Sequence, residues 1–228
     1  MTTYPINLDV AGRDCLVVGG GGVGARKTRG LVDCGAAVTV VSPEAAPSLR
    51  ELADAGKMNW AARSYRSEDM AGRFLAFAAS GDASVNEQVV ADARQAGVLC
   101  NSADRPEAGD FTLPAVLRRG DLTIAISTGG ASPALSRRIR MTLEATFGPE
   151  YETALRLLGT ARARLLAGGH DPDDHRRRFR ALLDGGLLEL LRDGRTEELD
   201  RLLRETLGSA FDLKTLIPME TDGPAPGR

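Results

Sequence analysis

Cys15-Leu16-Val17-Val18-Gly19-Gly20-Gly21-Gly22-Val23-Gly24 is an apolar run that breaks into glycines and then turns amphipathic, the order of a strand, a tight turn and a helix. Gly19, Gly21 and Gly24 satisfy the spacing G-x-G-x-x-G. In that pattern the first glycine permits the turn, the second lets backbone approach a pyrophosphate, and the third packs helix against strand. Amides at the helix start, those of Gly22 and Val23, would face an anion at the positive end of the helix dipole.

A glycine turn alone also arises wherever a chain bends sharply, so the flanks decide. Val17 and Val18 precede the glycines, a helical segment follows from about Gly22 to Asp33, and Gly35 ends it before a second strand, Val38–Val41. That is one βαβ unit, the setting in which the glycine pattern reads as a dinucleotide cradle. Ser42, Pro43 and Glu44 lie where an acid at the end of the second strand normally meets the adenosine ribose. The acid expected at the strand end is missing, and no arginine stands ready for a 2′-phosphate, so Ser42 and the Pro43–Glu44 backbone are the candidate ribose contacts and NAD is expected over NADP.

Downstream, Leu49–Ala55 reads as a helix, Met58–Ala61 and Phe74–Ala79 as strands, Asn86–Ala96 as a helix ended by Gly97, and Val98–Cys100 as a fifth strand. This alternation predicts an α/β fold, a Rossmann-type doubly wound parallel sheet over residues 1–113. Ligands then sit beyond the carboxyl ends of the strands, which puts Ser80, Asn101 and Asp104 on the same rim as the glycines. Upstream, Pro5–Val10 alternates and is expected to add a strand or cover the sheet edge.

From Asp110 the pattern changes. Leu122–Ser127 alternates like a strand, and Thr128-Gly129-Gly130-Ala131-Ser132-Pro133 leads into a helix with Ser132 as N-cap and Pro133 in its first position. Its apolar stripe is Leu135, Ile139 and Leu143; Arg137, Arg138 and Arg140 lie largely elsewhere, as on a solvated basic face. Residues 149–220 read as a charged helical domain with Leu155, Leu158, Ala161 and Leu165 inward and Thr196 as a cap, and 221–228 as a disordered tail.

A net charge of −2 with interspersed signs gives no general nucleic-acid or membrane surface. No apolar run approaches a membrane span, and the start Met-Thr-Thr-Tyr-Pro does not resemble a secretory signal, so a cytoplasmic protein is expected. Cys15, Cys34 and Cys100 lack metal-like spacing and read as reduced core thiols. His170 and His175, the two histidines, fall in a polar segment and read as surface residues, so no metal site is expected. Asp104 stands just past a strand end, where a carboxylate can accept a proton or orient a substrate amine, although an aspartate before Arg-Pro is also an ordinary turn former.

Taken in order, these residues resemble the precorrin-2 dehydrogenase and sirohydrochlorin ferrochelatase family, which includes the amino-terminal half of bacterial siroheme synthase. The resemblance rests on Tyr4-Pro5-Ile6, Val17-Val18-Gly19-Gly20-Gly21 with Arg26-Lys27, Gly35-Ala36 with Val38-Thr39-Val40, and Ala78-Ala79-Ser80 with Asp82 and Asn86. It continues through Cys100-Asn101 with Asp104 and Pro106, then Phe111, Pro114-Ala115, and Ile124–Gly130 with Ser132-Pro133. Gly24 stands where relatives often have alanine, and Ser102-Ala103 replaces the more usual valines.

The resemblance implies oxidation of precorrin-2 to sirohydrochlorin with NAD as cofactor, Asp104 as the functional carboxylate, and in bifunctional members insertion of Fe²⁺, a substrate. It implies a homodimer in which residues 114–148 form the dimerisation region. The substrate is a polycarboxylate, which gives Arg118, Arg119, Arg137, Thr128, Gly129, Gly130 and Ser132 a role as candidate contacts. The other class of reading is a non-catalytic NAD(H)-sensing module with a helical partner-binding tail, for which the Asp104 segment and second glycine loop have no use.

Overall fold

The computed structural model of the chain describes residues 3–169 and 171–217. The chain divides between Leu113 and Pro114 into two compact units. In the first, β1 (Asp14–Val18), β2 (Ala37–Val41), β3 (Asn59–Ala61), β4 (Leu75–Ala78) and β5 (Leu99–Ser102) form a parallel sheet in the order β3-β2-β1-β4-β5. The chain winds outward from β1 in both directions, so the crevice between the ends of β1 and β4 is the topological switch point.

Alternation along each strand builds a core on both faces, as a sheet covered on both sides requires. Cys15, Val17, Val38, Val40 and Phe77 pack beneath α1 (Gly22–Val32) and α2 (Pro47–Asp54). Leu16, Val18, Ala76 and Ala78 face α3 (Ala83–Ala96), meeting Val89, Val90 and Ala93. Asp82 caps α3 by accepting from Ser84 N at 2.8 Å, and Gly97 ends it in the left-handed conformation at φ 68°.

The second unit begins with an antiparallel hairpin, β6 (Ala115–Arg119) and β7 (Leu122–Ile126), turned at Gly120 and Asp121. α4 (Pro133–Thr146) follows, then α5 (Glu150–Ala167), α6 (Pro172–Asp184), α7 (Leu187–Arg192), α8 (Thr196–Leu207) and α9 (Leu213–Leu216). Leu157, Leu165, Leu182, Leu187, Leu199, Leu203 and Leu216 are fully buried at the centre of this bundle. None of the described helices is long and apolar enough to cross a membrane.

Glu150, buried at the start of α5, accepts from Arg192 at 2.8 and 3.0 Å. Burial pushes its carboxyl upward, but the Arg192 hydrogen bonds and backbone donors outweigh this and hold it below its ordinary value of 4.5. A depressed native pKa contributes stability above the unfolded value and loses it as pH falls through the native one. Thermal melts should therefore show the stability of Glu150→Gln converging on the parent's as pH is lowered below about 4.5, whereas a constant difference would show that the pair contributes no pH dependence.

Several expectations change. Residues 5–10 form no strand: Tyr4 and Ile6 are 87% and 63% exposed and only Val10 joins the core, so the alternating apolar side chains are not buried on a sheet face. Thr196 is the first residue of α8 rather than its cap, since its hydroxyl turns back to Gly194 O. On α5 the inward residues are Ala154 and Leu157 with Ala161 and Leu165, one position round from Leu155 and Leu158. On α4, Leu135 is exposed while Ser136 is buried. His175 is buried in the bundle rather than on the surface, and His170 and the 221–228 tail lie outside the described residues.

Candidate functional site

The turn after β1 can be built only from glycine at three places. Gly19 has φ 117°, and a Cβ there would stand 2.3 Å from Ala79 O at the end of β4. A Cβ on Gly20 would stand 2.0 Å from Glu44 O, and one on Gly24 would stand 1.9 Å from Gly19 O. Gly19→Ala combines a left-handed cost of about 1–2 kcal/mol with overpacking of about 1–3 kcal/mol. Urea unfolding should show it destabilised by about 2–5 kcal/mol, and a loss under about 1 kcal/mol would contradict this packing.

Gly21 and Gly22 are the opposite case, because a Cβ on either meets nothing within 4 Å. Gly21 is the N-cap of α1, and no side chain caps the helix. The first amides of α1 thus open onto unfilled space with their donors uncommitted to any capping side chain, an arrangement that fits a pyrophosphate. Val23 beside them is exposed.

Two further segments crowd this turn, and β5 lies on the far side of β4. Residues 42–46 fold against it, with Ala46 N donating to Gly20 O at 2.8 Å, which brings Ser42, Pro43 and Glu44 to the glycines. Trp60 Nε1 donates to Ser42 O at 3.0 Å, and Arg50 lies over the Trp60 ring while donating to Ala45 O. Ser80 follows β4 beneath Gly19 and is clamped by the Asn86 side chain on both its N–H and its C=O. Asn101 in β5 is 4% exposed; its Nδ2 donates to Phe111 O at 2.8 Å, while its Oδ1 is buried with no hydrogen-bond partner.

Asp104 lies on the loop after β5, exposed to solvent. Its Oδ1 accepts from Ser102 Oγ at 2.7 Å and from Arg105 N at 3.0 Å. Partial burial pushes its pKa upward, but these hydrogen bonds outweigh it and hold the carboxyl below its ordinary value of 3.8. The carboxylate is ionised at neutral pH.

The remaining candidates belong to the second unit. Arg118 and Arg119 end β6, and the Arg119 guanidinium is turned inward onto the carbonyls of Phe147, Arg118 and Glu144, where it closes the end of α4. Thr128 Oγ1 ties the second glycine loop to Ser132 and Ser136, and Ser132 caps α4 through Leu135 N. Gly129 and Gly130 both have positive φ. Arg137 lines a shallow surface depression with Pro133, Ala134, Arg138 and Met141. Among the described residues no His, Cys, Asp and Glu cluster is placed to hold a metal ion.

Reading the residues in sequence assigned no role to Asn86, Ser102 or Lys27. A buried polar residue in the first turns of a helix that follows a rim strand was the available signal for Asn86. Lys27, half-buried on α1, lies 5.9 Å over the Phe77 ring, and burial lowers its pKa.

Two family models match the chain: one described as "Putative NAD(P)-binding" over residues 6–115, and one described as "Sirohaem biosynthesis protein central" over residues 119–146. A siroheme synthase of Methylococcus capsulatus is 37% identical over 210 residues, which is 92% of this chain and 44% of that protein. One of Chromobacterium violaceum is 38% identical over 194 residues, 85% of this chain and 41% of that protein. The chain thus spans less than half the length of these relatives. Among solved structures, "SirC, precorrin-2 dehydrogenase" superposes with a TM-score of 0.73 at 29% identity, covering 88% of this chain and 98% of that one.

Proposed function

We propose that the chain is a member of the siroheme synthase family, matching the amino-terminal half of its relatives, and that it is an NAD-dependent precorrin-2 dehydrogenase. The observation that carries this is the open, uncapped start of α1 at the switch point, on the same rim as an ionised Asp104. When bound, NAD supplies a hydride acceptor. The substrate then loses two hydrogens, one as hydride and one as a proton, and its conjugation extends.

The chain's own groups divide the remaining work. Gly21, Gly22, Val23 and Gly24 hold the pyrophosphate through backbone, Gly19 seats the turn on β4, and Ser42, Pro43 and Glu44 contact the adenosine ribose. Ser80 and Asn101 line the rim toward the nicotinamide, where the buried Asn101 Oδ1 is an acceptor that a carboxamide N–H would satisfy. A carboxylate held ionised by hydrogen bonds is a weak proton acceptor, which supports Asp104 in orienting a pyrrole N–H over acting as a strong base.

Carboxylates of the tetrapyrrole fall to Arg118, Arg119 and Arg137 with Thr128, Gly129, Gly130 and Ser132; of these, Arg137 is the exposed guanidinium beside a depression. The β6–β7 hairpin leaves Val116 exposed, and Leu135 and Met141 of α4 are exposed too, which supports a homodimer through residues 114–148. Fe²⁺ is proposed as a second substrate, inserted into sirohydrochlorin at Asp104, and the cytoplasm as the place of action. Anaerobic incubation with precorrin-2 and NAD tests the oxidation by NADH appearance; NAD binding without NADH would refute it. Fe²⁺ uptake no faster than the enzyme-free control would remove the second activity.

A further inference from the structure

We propose that Arg50 is the specificity-determining residue of the adenosine end of the cradle: its guanidinium is placed to bind a phosphate on the ribose 2′-oxygen, so that the chain takes NADP as well as NAD. The proposal rests on residues 42–44 being the adenosine contacts. In NAD-binding cradles an acid at the end of the second strand holds the 2′-hydroxyl, and its charge repels a 2′-phosphate, whereas an arginine nearby accepts one. Ser42 occupies that place here, directly after β2. Residues 42–46 contain no arginine, but the fold returns one to them from α2.

Arg50 Nε donates to Ala45 O at 2.9 Å, and its Cζ stands 5.7 Å from the centre of the Trp60 ring. Trp60 is itself fixed, with Nε1 donating to Ser42 O at 3.0 Å. The guanidinium is thus tied to this segment twice, directly at Ala45 and through the indole at Ser42. The same segment reaches the glycine turn where Ala46 N donates to Gly20 O at 2.8 Å. Only Nε of the fork is spent: the N–H groups on Nη1 and Nη2 have no partner among the described residues, and Arg50 is exposed. Arg63, which follows β3, is by contrast committed to Asp69 through bonds of 2.7 and 2.6 Å. Glu44, the acid of the segment, is exposed and forms no ion pair with Arg50 among the described residues, so the guanidinium is not neutralised. A planar cation with donors to spare suits a phosphate, and one already held in place gives up less side-chain freedom on binding. The nicotinamide is the same in both dinucleotides, so the hydride and the proton leave the substrate as they do with NAD.

The test is calorimetry on the full chain with 5′-AMP and 2′,5′-ADP, which differ only by the 2′-phosphate, and then with NAD and NADP. The parent should bind 2′,5′-ADP about tenfold or more tighter than 5′-AMP, the gain from a charge-assisted hydrogen bond, and raised salt should shrink that gain. In Arg50→Gln the preference should vanish and the ratio of NADP to NAD affinity should fall about tenfold. Arg50→Lys, which keeps the charge without the fork, should recover part of it. A parent chain that binds 2′,5′-ADP no tighter than 5′-AMP overturns the proposal, and this readout needs no variant to fold. NAD and NADP binding lost in equal proportion in Arg50→Gln overturns it as well, because Arg50 then only supports the backbone of residues 42–45. If the 2′-phosphate preference is present and depends on Arg50, but the parent chain forms neither NADH nor NADPH from precorrin-2, the dehydrogenase reading fails while the Arg50 subsite stands.

Discussion

Asp104→Ala should lower kcat for precorrin-2 oxidation by about a hundredfold or more, the range that a positioned proton-handling group supplies. The variant should still fold, with a modest loss of stability, because the side chain is exposed on a loop but accepts from Ser102 Oγ and Arg105 N. NAD affinity should also persist, since the cradle is built from backbone at Gly19–Gly24 and takes nothing from Asp104. The pH dependence separates a chemical role from a turn-forming one. The hydrogen bonds from Ser102 and the Arg105 amide hold the carboxylate ionised, so its contribution to turnover should stay level through the neutral range and fall only in acid below the ordinary value of 3.8. Asp104→Asn keeps the shape and removes the charge, and should be nearly as slow as the alanine variant. Turnover within twofold of the parent in both variants would reduce Asp104 to a turn former.

The second large effect is at Gly21. Gly21→Asp places a carboxylate where nothing lies within 4 Å of its Cβ, at a φ of −77° that any residue adopts. Aspartate is a favoured N-cap, so the new side chain should accept from the free amides of α1 and, relative to a glycine cap, raise helix stability by roughly a few tenths of a kcal/mol. Those amides are the ones proposed to hold the pyrophosphate. The same substitution therefore fills the anion site with the protein's own charge and repels the ligand's. Losing two or more charge-assisted hydrogen bonds at about 1.5–3 kcal/mol each predicts NAD binding weakened by about a hundredfold or more. Calorimetry should thus find an equal or higher Tm together with lost NAD binding. Parent-like affinity in a folded Gly21→Asp would place the dinucleotide elsewhere.

What could be read without coordinates follows from the range of each interaction. The β1-glycine-α1 turn is a local object: apolar strand, missing Cβ atoms and amphipathic helix all lie within Cys15–Val32, and the sheet then follows from repeated alternation. Residues 5–10 show where periodicity stops being informative, since a strand needs an edge to pair with and alternation cannot say that one is free. The inward face of α4 was misplaced for a related reason. Leu135 looks like core from its spacing, but Ser136 is drawn inward by Thr128 and the Ser132 carbonyl, which are hydrogen bonds of the loop that precedes the helix. Asn86 was quoted only as part of a motif, because its partner Ser80 is brought to it from the end of β4 by the winding of the sheet. Arg119 likewise reads as a candidate carboxylate contact from sequence, whereas in the structure its guanidinium faces the carbonyls at the end of α4.

The most direct test of the central claim is the stoichiometry of NADH and sirohydrochlorin formed from precorrin-2 under strictly anaerobic conditions, with NAD as the sole oxidant. One NADH per sirohydrochlorin, formed by the parent chain and at about a hundredth of the rate or less by Asp104→Ala, is the expected result. Precorrin-2 left unoxidised by a chain that binds NAD, or sirohydrochlorin formed without matching NADH, would contradict it.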